Sequence, residues 1–185
     1  YRSNPLRLAE FTLSRRVPEY VGHAKDIAAQ EAERREGKLP EYLKAVLSAV
    51  GDAAALAGTT QFGSAVFANK PGDGSAREQA ASCQKVLGGF ANICYSYATK
   101  RYRSNCINWG ILPFTIDEGT PFDYADGDCV FVPDVRRAVE EAREDIPAKV
   151  IRKDGSVEDL MLHIRGLTQD EREIILDGCL MNYYA

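Results

Sequence analysis

The segment GDGSAREQAA, residues 72–81, carries the residue types of this chain that best suit proton transfer and anion binding. It follows an apolar run and begins a stretch typical of a helix, whose first N–H groups carry partial positive charge and bind anions. Ser75 could act as a base there, because those donors favour its alkoxide form. Arg77 could hold a carboxylate through two parallel hydrogen bonds. The segment is therefore a candidate site for a carboxylate-bearing ligand.

The same segment also has a purely structural interpretation. Ser75 and Glu78 have the spacing of a capping box, which satisfies the first N–H groups of a helix without any catalysis. Gly72 and Gly74 would then only permit a tight turn. Two nucleotide-binding motifs are excluded, because no Walker lysine follows and the third glycine of a dinucleotide-binding loop is absent. The residues alone leave both the catalytic and the capping interpretation open.

Composition narrows the class of protein. The chain has 185 residues, 45% of them hydrophobic, and a net charge of −4. The negative charge argues against a nucleic-acid partner, and no apolar stretch is long enough to span a membrane. Because the chain starts at Tyr1 without a methionine, we expect a fragment of a longer protein.

The cysteines argue against a metal site within this chain. Five are scattered without a CxxC pair, so neither a zinc knuckle nor a self-contained iron–sulfur site is supported. Thiols in apolar surroundings predict a reduced, cytoplasmic protein. These residues are Cys83, Cys94, Cys106, Cys129 and Cys179.

Periodicity places the candidate site between a strand and a helix of an α/β domain. Residues 1–57 are predicted to be a helical N-terminal segment, and residues 58–185 a domain in which strands and helices alternate. Pro113 predicts that the run 111–116 is an edge strand or a strand end. Asp154-Gly155 predicts a hairpin, and Thr168 with Glu171 predicts a capping box on the last long helix.

From residue 60 to residue 185, an ordered series of segments resembles the swivel domain of the aconitase superfamily. GDGSAREQAA is similar to the family loop G-x-G-S-S-R-E-H-A. VLGGFANICYSYATKRYRSNCINWGILPF, GDCVFVPD and LTQDEREIILDGCLMNYY then follow in the family's order. The resemblance implies an α/β fold, a three-layer β/β/α swivelling domain, here with a helical N-terminal extension.

The resemblance also implies a function. Family members are hydro-lyases or isomerases that act on hydroxy di- or tricarboxylic acids with a 4Fe-4S cluster. It implies Ser75 as the base, Arg77 as a carboxylate ligand, substrate contacts at Gly74 and Ala76, and a second substrate arginine at Arg2. The cluster would be bound by further domains of the same polypeptide or by a partner subunit, so we expect no metal in this chain and no activity from it alone.

Two departures from the family pattern leave alternatives open. Ala76 stands where the family has a second serine and Gln79 where it has a histidine, so the substrate stays undefined. One alternative is a separate small subunit of the isopropylmalate isomerase type. The other is a non-catalytic, carboxylate-sensing module on the same fold.

Four other polar or aromatic residues receive structural interpretations. His23 and His163 are expected to face solvent or to have a satisfied neighbour. Trp109 is expected to pack in the core or between domains, since large aromatic side chains dominate buried contact area. Asn105 is expected to fix its loop through backbone hydrogen bonds.

Overall fold

The computed structural model describes residues 3–15 and 17–185, so the predicted role of Arg2 lies outside the described residues. One mixed sheet of six strands forms the centre of the molecule, in the order β1-β2-β3-β6-β5-β4. The strands are β1 (Ser64–Phe67), β2 (Gly89–Cys94), β3 (Leu112–Thr115), β4 (Cys129–Phe131), β5 (Asp145–Ile151) and β6 (Val157–His163). The predicted α/β class is confirmed.

Helices flank this sheet and connect its strands. In the described part of the chain they are α1 (Pro5–Ser14), α2 (Pro18–Arg35), α3 (Glu41–Val50), α4 (Ala53–Ala57), α5 (Arg77–Val86), α6 (Lys100–Asn108), α7 (Val135–Glu140), α8 (Gln169–Leu176) and α9 (Leu180–Tyr183). The first four form the predicted helical N-terminal segment. None of the described helices is both long and apolar enough to cross a membrane.

The sheet has a parallel half and an antiparallel half. Strands β1, β2 and β3 run parallel, with α5 and α6 as their crossover connections. Strands β6, β5 and β4 run antiparallel to their neighbours. The main core lies where the two halves meet, and its buried members include Ile93, Phe114, Val150 and Leu162.

The edge-strand alternative predicted from Pro113 was wrong, because β3 is an internal strand. Pro113 pairs with Asn92 of β2, and its ring is buried. On its other side β3 meets β6 through the pair Thr115 and His163, two residues farther along. Since Pro113 lies outside that pairing, its missing N–H costs no hydrogen bond to β6.

Two predictions from short sequence signals are confirmed. Asp154 and Gly155 lie in the hairpin turn between β5 and β6, with Gly155 at φ +85°. Thr168 accepts a hydrogen bond from the Glu171 N–H, and the Glu171 carboxylate accepts one from the Thr168 N–H. In both cases the signal is complete within a few neighbouring residues.

The helical N-terminal segment packs on the rest of the molecule. Ala9 of α1 and Ala24 of α2 form a buried cluster with Cys83 and Leu87, which lie on α5 and at its C-terminal cap. The segment thus covers the side of α5 that faces away from α6. The division at residue 57 stays a prediction.

A buried ion pair connects α2 to the chain that precedes β1. Both oxygens of Glu31 accept hydrogen bonds from Arg34, at 2.7 and 2.8 Å, and Oε2 also accepts from the Phe62 N–H at 3.0 Å. Burial alone would raise the pKa of Glu31, but these hydrogen bonds lower it below its ordinary value. The ionised carboxylate therefore stabilises this junction.

A second buried cluster lies between α5, α6 and the sheet. It contains Ala81, Tyr102, Cys106 and Ile111. Burial raises the pKa of Cys106 to about 12, and burial likewise raises the pKa of nearby Cys94 to about 11. Both residues are free thiols, as are the other three cysteines.

Candidate functional site

The loop 68–76 lies at the carboxyl edge of the parallel half, where the loops that follow β1, β2 and β3 meet. Its first residues continue alongside the segment after β2. The Asn69 carbonyl accepts a hydrogen bond from the Tyr95 N–H at 3.2 Å, and the Pro71 carbonyl accepts one from the Ala98 N–H at 2.8 Å. This edge is the usual ligand-binding position in open α/β sheets.

Gly72 is the residue that the loop conformation requires. Its φ is +102°, and an added Cβ would lie 2.5 Å from the Tyr102 Cβ. Its carbonyl accepts hydrogen bonds from Thr99 Oγ1 and from Arg77 Nε, each at 3.1 Å. Gly74, in contrast, has ordinary φ and open space around it. The predicted glycine turn therefore depends on the first glycine.

Beneath Gly72, three polar side chains form a closed hydrogen-bond network. The Tyr102 hydroxyl donates to Asn92 Oδ1 at 2.8 Å and accepts from Gln84 Nε2 at 3.0 Å, while Asn92 Nδ2 donates to Gln84 Oε1 at 2.7 Å. All three side chains are buried. Such a satisfied network specifies one arrangement of α5, α6 and β2, and it supports the loop from below.

The capping-box interpretation of Ser75 is wrong. The N-cap of α5 is Ala76, which has no side chain able to cap, and Ser75 lies one residue earlier. Ser75 is exposed, and within the described chain its hydroxyl makes no hydrogen bond. No described side chain caps the first N–H groups of α5, so the start of this helix is open to an external acceptor.

Arg77 is held at one end and open at the other. Its Nε donates to the Gly72 carbonyl, and the side chain is half-buried against the loop. Among the described residues it forms no ion pair with a carboxylate, so its two terminal nitrogens can hold an external anion. Ser75 and Arg77 thus lie at the same uncapped helix start.

Glu78 turns away from the helix start and binds α6 instead. Its Oε2 accepts from Asn105 Nδ2 at 2.5 Å, and its Oε1 accepts from Trp109 Nε1 at 2.6 Å. The expectation that Asn105 uses backbone hydrogen bonds was therefore wrong, because its amide reaches a side chain. Trp109 packs against the α5–α6 cluster as expected. Sequence spacing gave no signal for this contact, since 31 residues separate Glu78 from Trp109.

The two histidines lie away from the loop. His163 is 5% exposed, with Nδ1 2.8 Å from Asp145 and Nε2 3.1 Å from Asp117. Nδ1 has Asp145 as its hydrogen-bond partner, whereas Nε2 lies beside Asp117 but is buried without a hydrogen bond among the described residues. The second of the two expected arrangements, a satisfied neighbour, is therefore found at Nδ1. His23 is exposed and contacts Asp126.

The described residues do not fit a metal or an iron–sulfur cluster. No group of three or more potential ligands comes together in the described ranges 3–15 and 17–185. Cys83 is buried against α1 and α2, whereas Cys94 and Cys106 are buried near each other, so these three thiols do not come together.

A family model and two known proteins are similar to this chain. The family model for the aconitase C-terminal domain matches residues 24–119, which include the whole loop. Aconitate hydratase A of Bradyrhizobium diazoefficiens is 32% identical over 114 residues, covering 60% of this chain and 12% of that protein. A 3-isopropylmalate dehydratase of Methanocaldococcus jannaschii superposes with a TM-score of 0.41 at 25% identity, covering 74% of each chain. This chain therefore spans only a small part of the length of its curated relative.

Proposed function

This chain belongs to the aconitase C-terminal domain family, and from that premise we propose that it is the swivel domain of an aconitase-like hydro-lyase. The reaction would be the dehydration and rehydration of a hydroxy di- or tricarboxylic acid. One observation carries the proposal. An exposed serine and an arginine without a carboxylate partner lie together at an uncapped helix start, at the carboxyl edge of the parallel half.

Ser75 would be the catalytic base. Its Oγ accepts the proton from the carbon next to a substrate carboxylate, the C–H electron pair becomes the double bond, and the hydroxyl group leaves the neighbouring carbon. The open N–H groups and positive end of α5 favour the alkoxide over the neutral hydroxyl. In the reverse direction Ser75 returns the proton to carbon.

Arg77 and the loop backbone would bind the substrate carboxylate. The hydrogen bond from Nε to Gly72 fixes the plane of the guanidinium, so that its terminal nitrogens present a fork that matches a carboxylate. Gly74 has no side chain and is surrounded by open space, which lets a ligand approach the backbone there. Ala76 offers its N–H but no hydroxyl, so the substrate is recognised with one side-chain contact fewer than in the family pattern.

The remaining parts of the site would come from outside the described residues. When bound, a 4Fe-4S cluster supplies a Lewis acid for the departing hydroxyl group. Further domains of the same polypeptide or a partner subunit would hold it, and Arg2 would contribute a second carboxylate contact. We expect a cytoplasmic protein whose 185-residue domain is colourless and inactive without these parts.

Ser75→Ala in the full-length, cluster-containing protein tests the proposal. Removing a base that acts only in the transition state should lower kcat by about a thousandfold with little change in KM. The matched control is Ser82→Ala on the same helix, whose hydroxyl bonds only the Gln79 carbonyl, and it should leave kcat unchanged. An unchanged kcat in Ser75→Ala would refute the assignment of the base.

The two alternatives have different signatures in the same material. A carboxylate-sensing module would bind a tricarboxylate but show no turnover even with a cluster-bearing partner. A separate small subunit would be encoded by its own gene, with the cluster ligands on another chain. Reading the gene upstream of the Tyr1 codon distinguishes a partner subunit from further domains of one polypeptide.

A further inference from the structure

We propose that Glu78 is a positioning residue, which fixes the turn carrying Ser75 and Arg77 by anchoring the first turn of α5 to α6. Its effect on turnover rests on the proposed function, whereas its effect on the turn itself does not. Glu78 would touch neither substrate nor cofactor. It would act through the two hydrogen bonds that its carboxylate accepts from Asn105 and Trp109.

The anchor completes a pair of attachments to the same helix. Before Ser75, Gly72 packs on Tyr102 and accepts a hydrogen bond from Thr99, at the start of α6. After Ser75, Glu78 binds Asn105 and Trp109, at the end of α6. Because both ends of the segment 72–78 are held by α6, the exposed residues between them keep one orientation without hydrogen bonds of their own.

The direction of the Glu78 side chain also keeps the helix start open. In a capping box the glutamate turns back towards the N-cap, as Glu171 does in α8. Glu78 instead turns sideways to α6, and Ala76 cannot cap, so in the described chain no side chain occupies the first N–H groups of α5. The start of the helix is therefore fixed in place while its donors stay available to an anion.

The chemistry of the three groups makes the isosteric variant Glu78→Gln informative. Asn105 Nδ2 and Trp109 Nε1 are both donors, and only a carboxylate can accept from both with two different oxygens. A glutamine oxygen can accept from only one of them, and the N–H2 group faces the other. Facing Trp109 this loses the hydrogen bond, and facing Asn105 it keeps one only if the Asn105 amide turns over to present Oδ1. In the double variant Glu78→Gln with Trp109→Phe the conflict disappears, because the glutamine oxygen can accept from Asn105.

In the full-length protein, Glu78→Gln should lower kcat about tenfold, with a smaller change in KM, since small displacements of reacting groups are costly. The double variant should have the kcat of Trp109→Phe alone. Glu173→Gln is the matched control, because Glu173 accepts from Gln169 on α8, far from the loop in the chain. If the losses of kcat in Glu78→Gln and Trp109→Phe multiplied in the double variant, the proposal would be overturned, because Glu78 and Trp109 would then act independently.

A spectroscopic measurement on the 185-residue chain tests the anchor without activity. The chain contains one tryptophan, so its indole N–H gives one resonance in a nitrogen–proton correlation spectrum. Glu78→Gln should move that resonance upfield and shift the amides of residues 75–77. If the indole resonance moved while those amides stayed in place, Glu78 would not position the turn. An unaltered kcat in Ser75→Ala with shifted amides would refute the proposed base and leave the anchor standing.

Discussion

The parallel and antiparallel halves of the sheet differ in how far their neighbouring polar groups are buried and hydrogen-bonded. In the antiparallel half, the turn between β5 and β6 is closed by its own hydrogen bonds, and the cross-strand pair of Lys149 with Asp159 is exposed. Beside the parallel half, the ion pair of Glu31 with Arg34 on α2 is buried, and the loop is held from below, while Ser75 and the start of α5 are left open. The candidate site thus lies where firm support and unsatisfied polar groups occur together.

The ion pairs give the largest expected difference between the halves. Glu31→Gln should reduce the free energy of unfolding at neutral pH by about 3 kcal/mol, because it leaves Arg34 buried without its partner. Asp159→Asn removes an exposed pair and should change it by less than about 0.5 kcal/mol. Urea unfolding of the 185-residue chain measures both values, and similar losses would contradict the contrast.

The pH dependence of this pair follows from the lowered pKa of Glu31. Its contribution should be fully present above the unfolded pKa of about 4.3 and should be lost as the pH falls through the lower folded value. The difference in stability between the parent protein and Glu31→Gln should therefore shrink below about pH 4. Unfolding curves at pH 7, 4 and 3 test this, and a constant difference would refute it.

Glycine substitutions give the next contrast. Gly72→Ala combines a positive φ with a Cβ that clashes with Tyr102, so we expect a loss of about 2 to 3 kcal/mol. Gly155→Ala in the antiparallel hairpin has positive φ but open space, and should cost about 1 kcal/mol. Gly74→Ala, with neither problem, is the control and should be neutral. Thermal unfolding ranks the three, and equal shifts would show that packing under the loop is unimportant.

Helix starts give the smallest contrast. Thr168→Ala removes the capping box of α8 and should cost about 1 kcal/mol. Ser75→Ala removes no cap, so the free energy of unfolding should change by less than about 0.3 kcal/mol. Denaturant unfolding of the two variants side by side measures this. A loss from Ser75→Ala as large as that from Thr168→Ala would restore the structural interpretation of Ser75.

Local signals predicted local structure well. The Asp154-Gly155 turn and the Thr168–Glu171 capping box formed as expected, because the groups that satisfy them are close neighbours in sequence. The same kind of signal failed at Ser75, where the helix begins one residue later and Glu78 has better partners on α6. Spacing alone cannot show that a distant tryptophan competes for a glutamate.

Arrangement across the sheet could not be predicted in the same way. Pro113 indicated an edge strand or a strand end. The edge position was wrong because strand order depends on which elements pair after the chain returns, and β6 meets β3 beyond the proline. The predicted location of Ser75 between a strand and a helix was correct, with Arg77 as the first residue of that helix, because β1 and α5 flank the loop closely. The hydrogen-bond network beneath the loop could not be predicted from the sequence, because it joins residues of three different elements, Tyr102, Asn92 and Gln84.

The buried thiol of Cys106 can report how often α6 opens. A thiol with a pKa of about 12 is almost entirely protonated at neutral pH, and an alkylating reagent can reach it only when α6 lifts from α5 and the sheet. The rate at which Cys106 is alkylated under native conditions therefore measures how frequently α6 opens. Residues of α6 contact Gly72 before Ser75 and Glu78 after it, so each opening of α6 also releases the loop. The alkylation rate therefore also reports how often the loop loses these contacts.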